Sequence, residues 1–161
     1  KVIQNYGFKP ISNLTGHQVG RYMIHAGLSL PNVAHSTLSK IQAGEVFAIE
    51  PFVTTKEAEG RVVNGPDAYI FRFVKRRSPE QTDAKHLLKY IENRFMTLPF
   101  AERWLKAYCS NQQYKSAFSA LQKSRCLIAY PVFIEASRKM VTQAEHTAYI
   151  DKNETVVLTQ L

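Results

Sequence analysis

The sequence predicts an α+β chain in which a helical block interrupts a largely β-structured frame. Three observations carry this. Residues 1–77 hold short apolar runs separated by Gly and Pro, the pattern of strands and turns. Over residues 78–139 the apolar spacing changes to that of helices, and residues 140–161 return to strand-like runs. At 161 residues the chain is long enough for one domain with a core. Its 45% hydrophobic and 21% charged content excludes a disordered polymer. No apolar run approaches the roughly 18 residues of a membrane span.

Within the first part, VIQNYG, RYMIHAGLSL, EVFAIEPFV and AYIFRFV read as strands. EVFAIEPF is a short buried-type run closed by Pro51. AYIFRFV alternates Tyr69, Phe71 and Phe73 with Ala68, Ile70 and Arg72, which suits a strand covered in part on both faces. In the middle part, SPEQTDAKHLLKYIENRF places Leu87, Leu88, Ile91 and Phe95 at helical spacing. LPFAERWLKAY reads as a second helix with Pro99 near its first turn. NQQYKSAFSALQKS reads as a third, with Tyr114, Phe118 and Leu121 on one face. CLIAYPVFIEA and MVTQAEHTAYID then read as a β-hairpin turning at Ser137–Lys139. Three helices and a hairpin outline a winged helix. The last part is strand-like and ends on VVLTQL.

The formal net charge is +8, an excess that looks spread along the chain apart from Lys75-Arg76-Arg77. A solvated basic surface and a nucleic-acid-binding one both fit. Cys109 and Cys126 lack metal-type spacing and read as free thiols of a reducing, cytoplasmic compartment. KVIQNYGFKP has no signal-peptide architecture. A first residue that is lysine fits a chain beginning partway through a longer product, or one that has been processed.

The side chains that could carry chemistry are few. Glu50 lies among Phe47, Ala48, Ile49 and Phe52, where a carboxylate is costly unless something pairs with it. The plainer reading is a solvent-facing Glu on an edge strand. Glu145, in VTQAEHTAYI, is either a second such carboxylate or an exposed hairpin residue. His17 follows Gly16 and is a ligand or a polar turn residue. His25, in MIHAG, is a functional imidazole or a half-buried structural one. His35 and His86 have no such context. Imidazole nitrogens and carboxylate oxygens are the donors a divalent metal takes. Two metals need bridging carboxylates and usually about five or more ligands, and Asp67, Asp83 and Asp151 sit in turns or at element ends.

GFKPISNLTGH, IHAGLSLPN, GEVFAIEPF, TLPFAERWL and QAEHT resemble, in that order, the type 2 methionine aminopeptidases, the archaeal branch above all. The resemblance runs from about Gly7 to the C-terminus. It implies the second half of a pita-bread (creatinase/aminopeptidase-like) fold, with residues 78–139 as the winged-helix-like insertion of type 2 enzymes. It implies two divalent ions (Co, Mn, Fe or Zn) and removal of the initiator methionine from nascent peptide N-termini. Carried over by residue, His17, Glu50 and Glu145 resemble metal ligands, with Glu145 bridging. Glu50 resembles the general base for the attacking water. His25 resembles the histidine that contacts substrate and stabilises the tetrahedral intermediate, and Ile24 would line the methionine pocket with residues 97–100 near it.

Family members supply two further aspartate ligands and another histidine from a preceding half of the domain, which this sequence lacks. The resemblance therefore implies a second polypeptide, or an upstream segment, as partner. TTKEAEGRVVNGPDAY departs from a Gly-rich turn of the family, so the cleft rim would differ there. No membrane partner is expected. The rival expectation is a catalytically inactive relative that acts as an RNA- or ribosome-binding module.

Overall fold

The computed structural model of the chain describes residues 1–36, 39–75, 79–106, 108 and 111–160, the side chains of 111 and 112 excepted. In order, its elements are helix α1 (Val2–Asn5) and strands β1 (Phe8–Pro10), β2 (Thr15–Val19), β3 (Ser29–Pro31), β4 (Val46–Ile49), β5 (Phe52–Thr55) and β6 (Val62–Phe73). Helix α2 (Thr82–Phe95), strand β7 (Pro99–Ala101), a 3₁₀ turn (Glu102–Leu105) and helix α3 (Asn111–Lys123) follow. Strands β8 (Leu127–Glu135), β9 (Val141–Gln143), β10 (His146–Ile150) and β11 (Thr155–Val157) close the chain. The elements group into two compact units: a frame of residues 1–64 and 133–161, and a helical unit of residues 65–132.

The frame holds a five-stranded sheet, β11-β10-β4-β2-β3, and a three-stranded one, β1-β5-β9. Neighbouring strands in both sheets pair antiparallel. Two adjacent strand pairs pass from one sheet to the other at the same level. Ile49 of β4 faces His146 of β10, and Phe52 of β5 faces Gln143 of β9. Between them Glu50-Pro51 lies across from Ala144-Glu145, and the Ala144 N–H donates to the Pro51 carbonyl at 3.3 Å. Proline has no N–H to extend a ladder, so the strand breaks where the sheets diverge. The sequence places both carboxylates inside strands. They stand instead in the two breaks, where side chains are released from strict in-out alternation.

Few large side chains fill the frame: Ile11, Phe47, Ala48, Ala58, Val62 and Ala148 are its buried apolar residues. Hydrogen bonds do the tying. The Asn13 side chain donates to the Val62 carbonyl and accepts the Val62 N–H, at 2.8 and 2.9 Å. Glu135, 2% exposed, accepts the Gly60 N–H at 3.0 Å on one oxygen. Its other oxygen accepts the Ser137 N–H, the Ser137 hydroxyl and the Lys139 N–H, at 2.8, 2.6 and 3.2 Å. Burial pushes this carboxyl up. The hydrogen bonds from Ser137, Lys139 and Gly60 outweigh burial and hold the pKa at about 2.

The helical unit has a denser core. α2 buries Ala84, Leu87, Leu88 and Ile91, and α3 buries Tyr114, Ala117, Phe118 and Leu121, each at the i, i+3, i+4, i+7 spacing of one helix face. They enclose Phe71, Phe100, Leu105, Cys126 and Leu127. Each large side chain buried there contributes about 1.5–3 kcal/mol. The sheet of this part has the order β7-β6-β8.

Several sequence expectations are corrected here. VIQNYG starts with a helical turn, not a strand. LPFAERWLKAY is strand β7 followed by a 3₁₀ turn, because Pro99 favours extended backbone at Leu98 and removes a helical donor. Residues 137–139 do turn, with Arg138 at φ 61°. No hairpin results, because β8 lies beside β6 whereas β9 pairs with β5. The strands beside α2 and α3 are thus β6, β7 and β8. Cys126 is fully buried in the core, its Sγ 3.1 Å from Ser124 Oγ. Cys109, Arg76 and Arg77 lie outside the described residues. The basic excess is not spread evenly. The helical unit has twelve Lys/Arg against five Asp/Glu, a net of +7, and the frame nine against eight, a net of +1.

Candidate metal centre

β2 carries His17 into the middle of the five-stranded sheet, where it pairs in register with Ala48 of β4. The neighbouring Gly16 is required by this closeness: a Cβ there would run into the Ala48 carbonyl. His17 is therefore a strand residue, not a turn residue. Its Nε2 lies 2.9 Å from Glu50 Oε1, and the two side chains are 15% and 16% exposed. The second Glu50 oxygen accepts a hydrogen bond from Gln143 Nε2 at 3.0 Å. Asn32 fixes the backbone beneath this pair, its Nδ2 donating to the Leu14 carbonyl at 3.0 Å and the Glu50 carbonyl at 3.1 Å.

His25 is exposed and meets His17 edge-on, ring centroids 4.2 Å apart at 71°. Its loop, residues 20–28, is held by Gln18. The Gln18 backbone N–H donates to the Leu28 carbonyl, and its carbonyl accepts the Ala26 N–H, both at 2.8 Å. The side-chain oxygen accepts the Leu28 N–H at 3.2 Å, and Nε2 donates to Glu45 at 3.1 Å. Ile24, on the same loop, is half-buried. Of the other histidines, His146 turns its Nδ1 to Thr159 Oγ1 at 3.1 Å. His35 stands on the rim of a cavity of about 760 Å³ walled by Leu28, Leu30, Val33 and Ile41.

The electrostatics fit a cation. Burial raises the Glu50 carboxyl above its ordinary range, and the Glu145 carboxylate raises it further, against the opposite pull of His17 and its hydrogen bond. A divalent ion would relieve that excess of negative charge, and imidazole plus carboxylate is a donor set such ions accept. The set is partial. Glu145 is exposed, near enough to act on Glu50 by charge, yet no group of three His, Cys, Asp or Glu among the described residues is arranged to hold a metal ion.

The structure thus brings His17, Glu50 and His25 together, sets Glu145 across the break, and puts Ile24 on the adjoining loop. Sequence reasoning missed Gln143, Asn32 and Gln18. Gln143, two residues before Glu145 on an otherwise strand-like run, was the one with a readable signal, an amide where period two would face the same side as the carboxylate.

Metallopeptidase family M24 matches residues 1–72. The methionine aminopeptidase of Thermococcus kodakarensis is 41% identical over 160 residues, covering 99% of this chain and 54% of its own length. That of Methanocaldococcus jannaschii is 39% identical over 160 residues, with 99% and 53% covered. Among solved structures, a thermophilic Arx1 superimposes with a TM-score of 0.74 at 17% identity, covering 96% of this chain and 42% of that one. The fold is accordingly of the pita-bread type, and the chain spans about half the length of the curated relatives it matches. Over nearly its whole length, at 39–41% identity, the chain thus fits the C-terminal half of an archaeal-type methionine aminopeptidase, and residues 1–72 match metallopeptidase family M24.

Proposed function

We propose that the chain contributes to metal-dependent removal of the N-terminal methionine from nascent proteins, as one part of a split or cleaved aminopeptidase. The observation that carries this reading is the half-buried His17–Glu50 pair facing Glu145 across the strand breaks, with His25 against His17. His17, Glu50 and Glu145 would hold part of a two-ion site. The remaining two aspartates and a histidine come from a second polypeptide or an upstream segment. Bound divalent ions supply Lewis acidity at the scissile carbonyl and lower the pKa of water.

The chain's own residues do the rest. Glu50 accepts the proton of the attacking water. Gln143 holds the carboxylate in place through its far oxygen. His25 donates an N–H to the carbonyl oxygen as negative charge develops there. Ile24 offers an apolar wall to the methionine side chain. The cytoplasm, where nascent chains emerge, is the matching compartment.

Gentle purification of the chain from its source, followed by native mass spectrometry and a Met-Ala-Ser cleavage assay, tests this. A complex of the 18.4 kDa chain with a second polypeptide and two metal ions, active toward the peptide, is expected. Glu145→Gln should lower the rate by more than the roughly 10–100-fold that losing a residue hydrogen-bonded to a ligand costs. A Glu145→Gln complex as active as the unchanged one would sink the reading. The +8 charge favours a second reading, an inactive RNA- or ribosome-binding relative. An isolated chain that takes up no metal and is retained on ribosomes in a salt-dependent way supports that reading instead.

A further inference from the structure

We infer that the helical unit carries a binding strip for single-stranded nucleic acid, independent of any peptidase activity of the frame. The first ground is charge. Residues 65–132 hold a net +7 of the chain's +8, in a unit of fewer than half its residues. That concentration on one compact unit is the electrostatic footprint of a polyanion partner.

The second ground is what lies among those charges. A depression of about 340 Å³ is walled by Tyr90, Arg94, Phe95 and Trp104. A second, of about 230 Å³, has Tyr69, Arg103 and Lys106 in its wall. The segment 101–106 contributes to both, Trp104 to the first and Arg103 and Lys106 to the second. Trp104 and Tyr69 are 51% and 57% exposed, large aromatic areas left in water although the unit has an apolar core of its own. Trp104 stacks on Phe95 with centroids 6.0 Å apart at 28°, and Tyr90 stacks on Tyr108 at 4.2 Å and 28°. The rings are thus held flat and rigid, which limits the entropy lost when another ring lies on them. Glu102, the acidic residue of the second wall, is engaged by the Tyr114 hydroxyl at 3.1 Å.

Aromatic faces and Arg/Lys heads in the same walls suit the bases and phosphates of an unpaired strand. Bases stack on such rings, and cations track the backbone. A duplex keeps its bases stacked on one another and could use only the charges. An acidic peptide could likewise use only the charges. Single strands are therefore the occupant the strip favours.

The test uses the full chain and exploits Trp104 being its sole tryptophan. Twelve-nucleotide oligo(U) and oligo(dT), labelled for anisotropy, are titrated at two salt concentrations while tryptophan emission is followed. Saturable binding with quenching is expected, weakening as salt rises. Trp104→Ala should weaken binding about tenfold, the order of one lost base stack, and Trp104→Phe should restore most of it. Arg94→Gln with Arg103→Gln should weaken binding and flatten the salt dependence by about one to one and a half in log–log slope. Tyr69→Ala gives an independent reading should Trp104→Ala melt early by circular dichroism. Tighter binding of oligo(U) than oligo(dT) would identify RNA as the natural strand, and the reverse DNA. Overturning results are binding that Trp104→Ala and Tyr69→Ala both leave unchanged, equal or tighter binding of a 12-base-pair duplex, or equal competition by poly-glutamate. Oligo(U) binding together with no peptidase activity in any complex of the chain supports the strip and bears only against the enzymatic reading.

Discussion

The two units of this chain are built by different means. The helical unit is closed by side chains, with two amphipathic helices and the phenylalanines of β6 and β7 around one apolar core. The frame buries few large residues and is held by ladders, a glycine contact and side-chain hydrogen bonds to backbone. The difference follows from what each must present. A site of half-buried polar groups cannot sit in a thick apolar core, so the frame specifies geometry through hydrogen bonds, whose directionality fixes positions that packing alone leaves loose. The helical unit places no such demand on its interior and is free to hold its charge outside.

The sharpest way to break this contrast is to remove apolar volume. Leu87→Ala, at a fully buried position of α2, should cost about 2–5 kcal/mol. Urea denaturation measures the loss, and hydrogen exchange should place it in residues 65–132. Equal loss of protection in residues 1–64 would show that the units unfold as one. In the frame, Gly16→Ala drives a Cβ into the Ala48 carbonyl and should cost about 1–3 kcal/mol, as overpacking does. It should also displace the His17 imidazole signals in NMR, since Ala48 is the register partner of His17. Asn32→Ala removes two donated hydrogen bonds and should cost about 1 kcal/mol. Its effect on the His17 signals should exceed its effect on stability, because it frees the Glu50 backbone. A purely global destabilisation would not do that.

Much of the helical unit was legible because its information is local. Leu87, Leu88, Ile91, Tyr114, Phe118 and Leu121 announce one face each at helical spacing, and the structure buries them together. The exception, the second helix, failed where Pro99 overrode an apparently helical composition. In the frame, residue types were legible and placement was not. His17, Glu50 and Glu145 could be picked out as chemistry-bearing, but period-two reasoning put both glutamates inside strands. That they occupy matching breaks between two sheets depends on the pairings of β4 with β10 and β5 with β9, about 90 residues apart in sequence. The amides of Gln18 and Asn32 were invisible for the same reason, each defined by a partner remote in sequence, and Gln143 offered only its period-two spacing from Glu145. The uneven charge needed the unit boundary, because a count over the whole chain averages it away.

The smallest expected effect separates the units by acid. Glu135 belongs to the frame and carries a carboxylate held at about pKa 2 by four donated hydrogen bonds. Its folded-state pKa is depressed, so its contribution is fully present above the ordinary carboxylate range. It is lost as pH falls from about 4.5 toward 2, since the unfolded chain takes up that proton first. Stability measured by urea at successive pH values should therefore fall more steeply across this window in the unchanged chain than in Glu135→Gln. The difference is at most one proton's worth of slope. Hydrogen exchange over the same range should show Gly60, Ser137 and Lys139 losing protection before the amides of α2 and α3, because among the described residues the helical unit buries no carboxylate. Simultaneous loss would mean that the acid transition is set by total charge rather than by this one knot, and the distinction between a hydrogen-bonded frame and a packed helical unit would fail at its most local point.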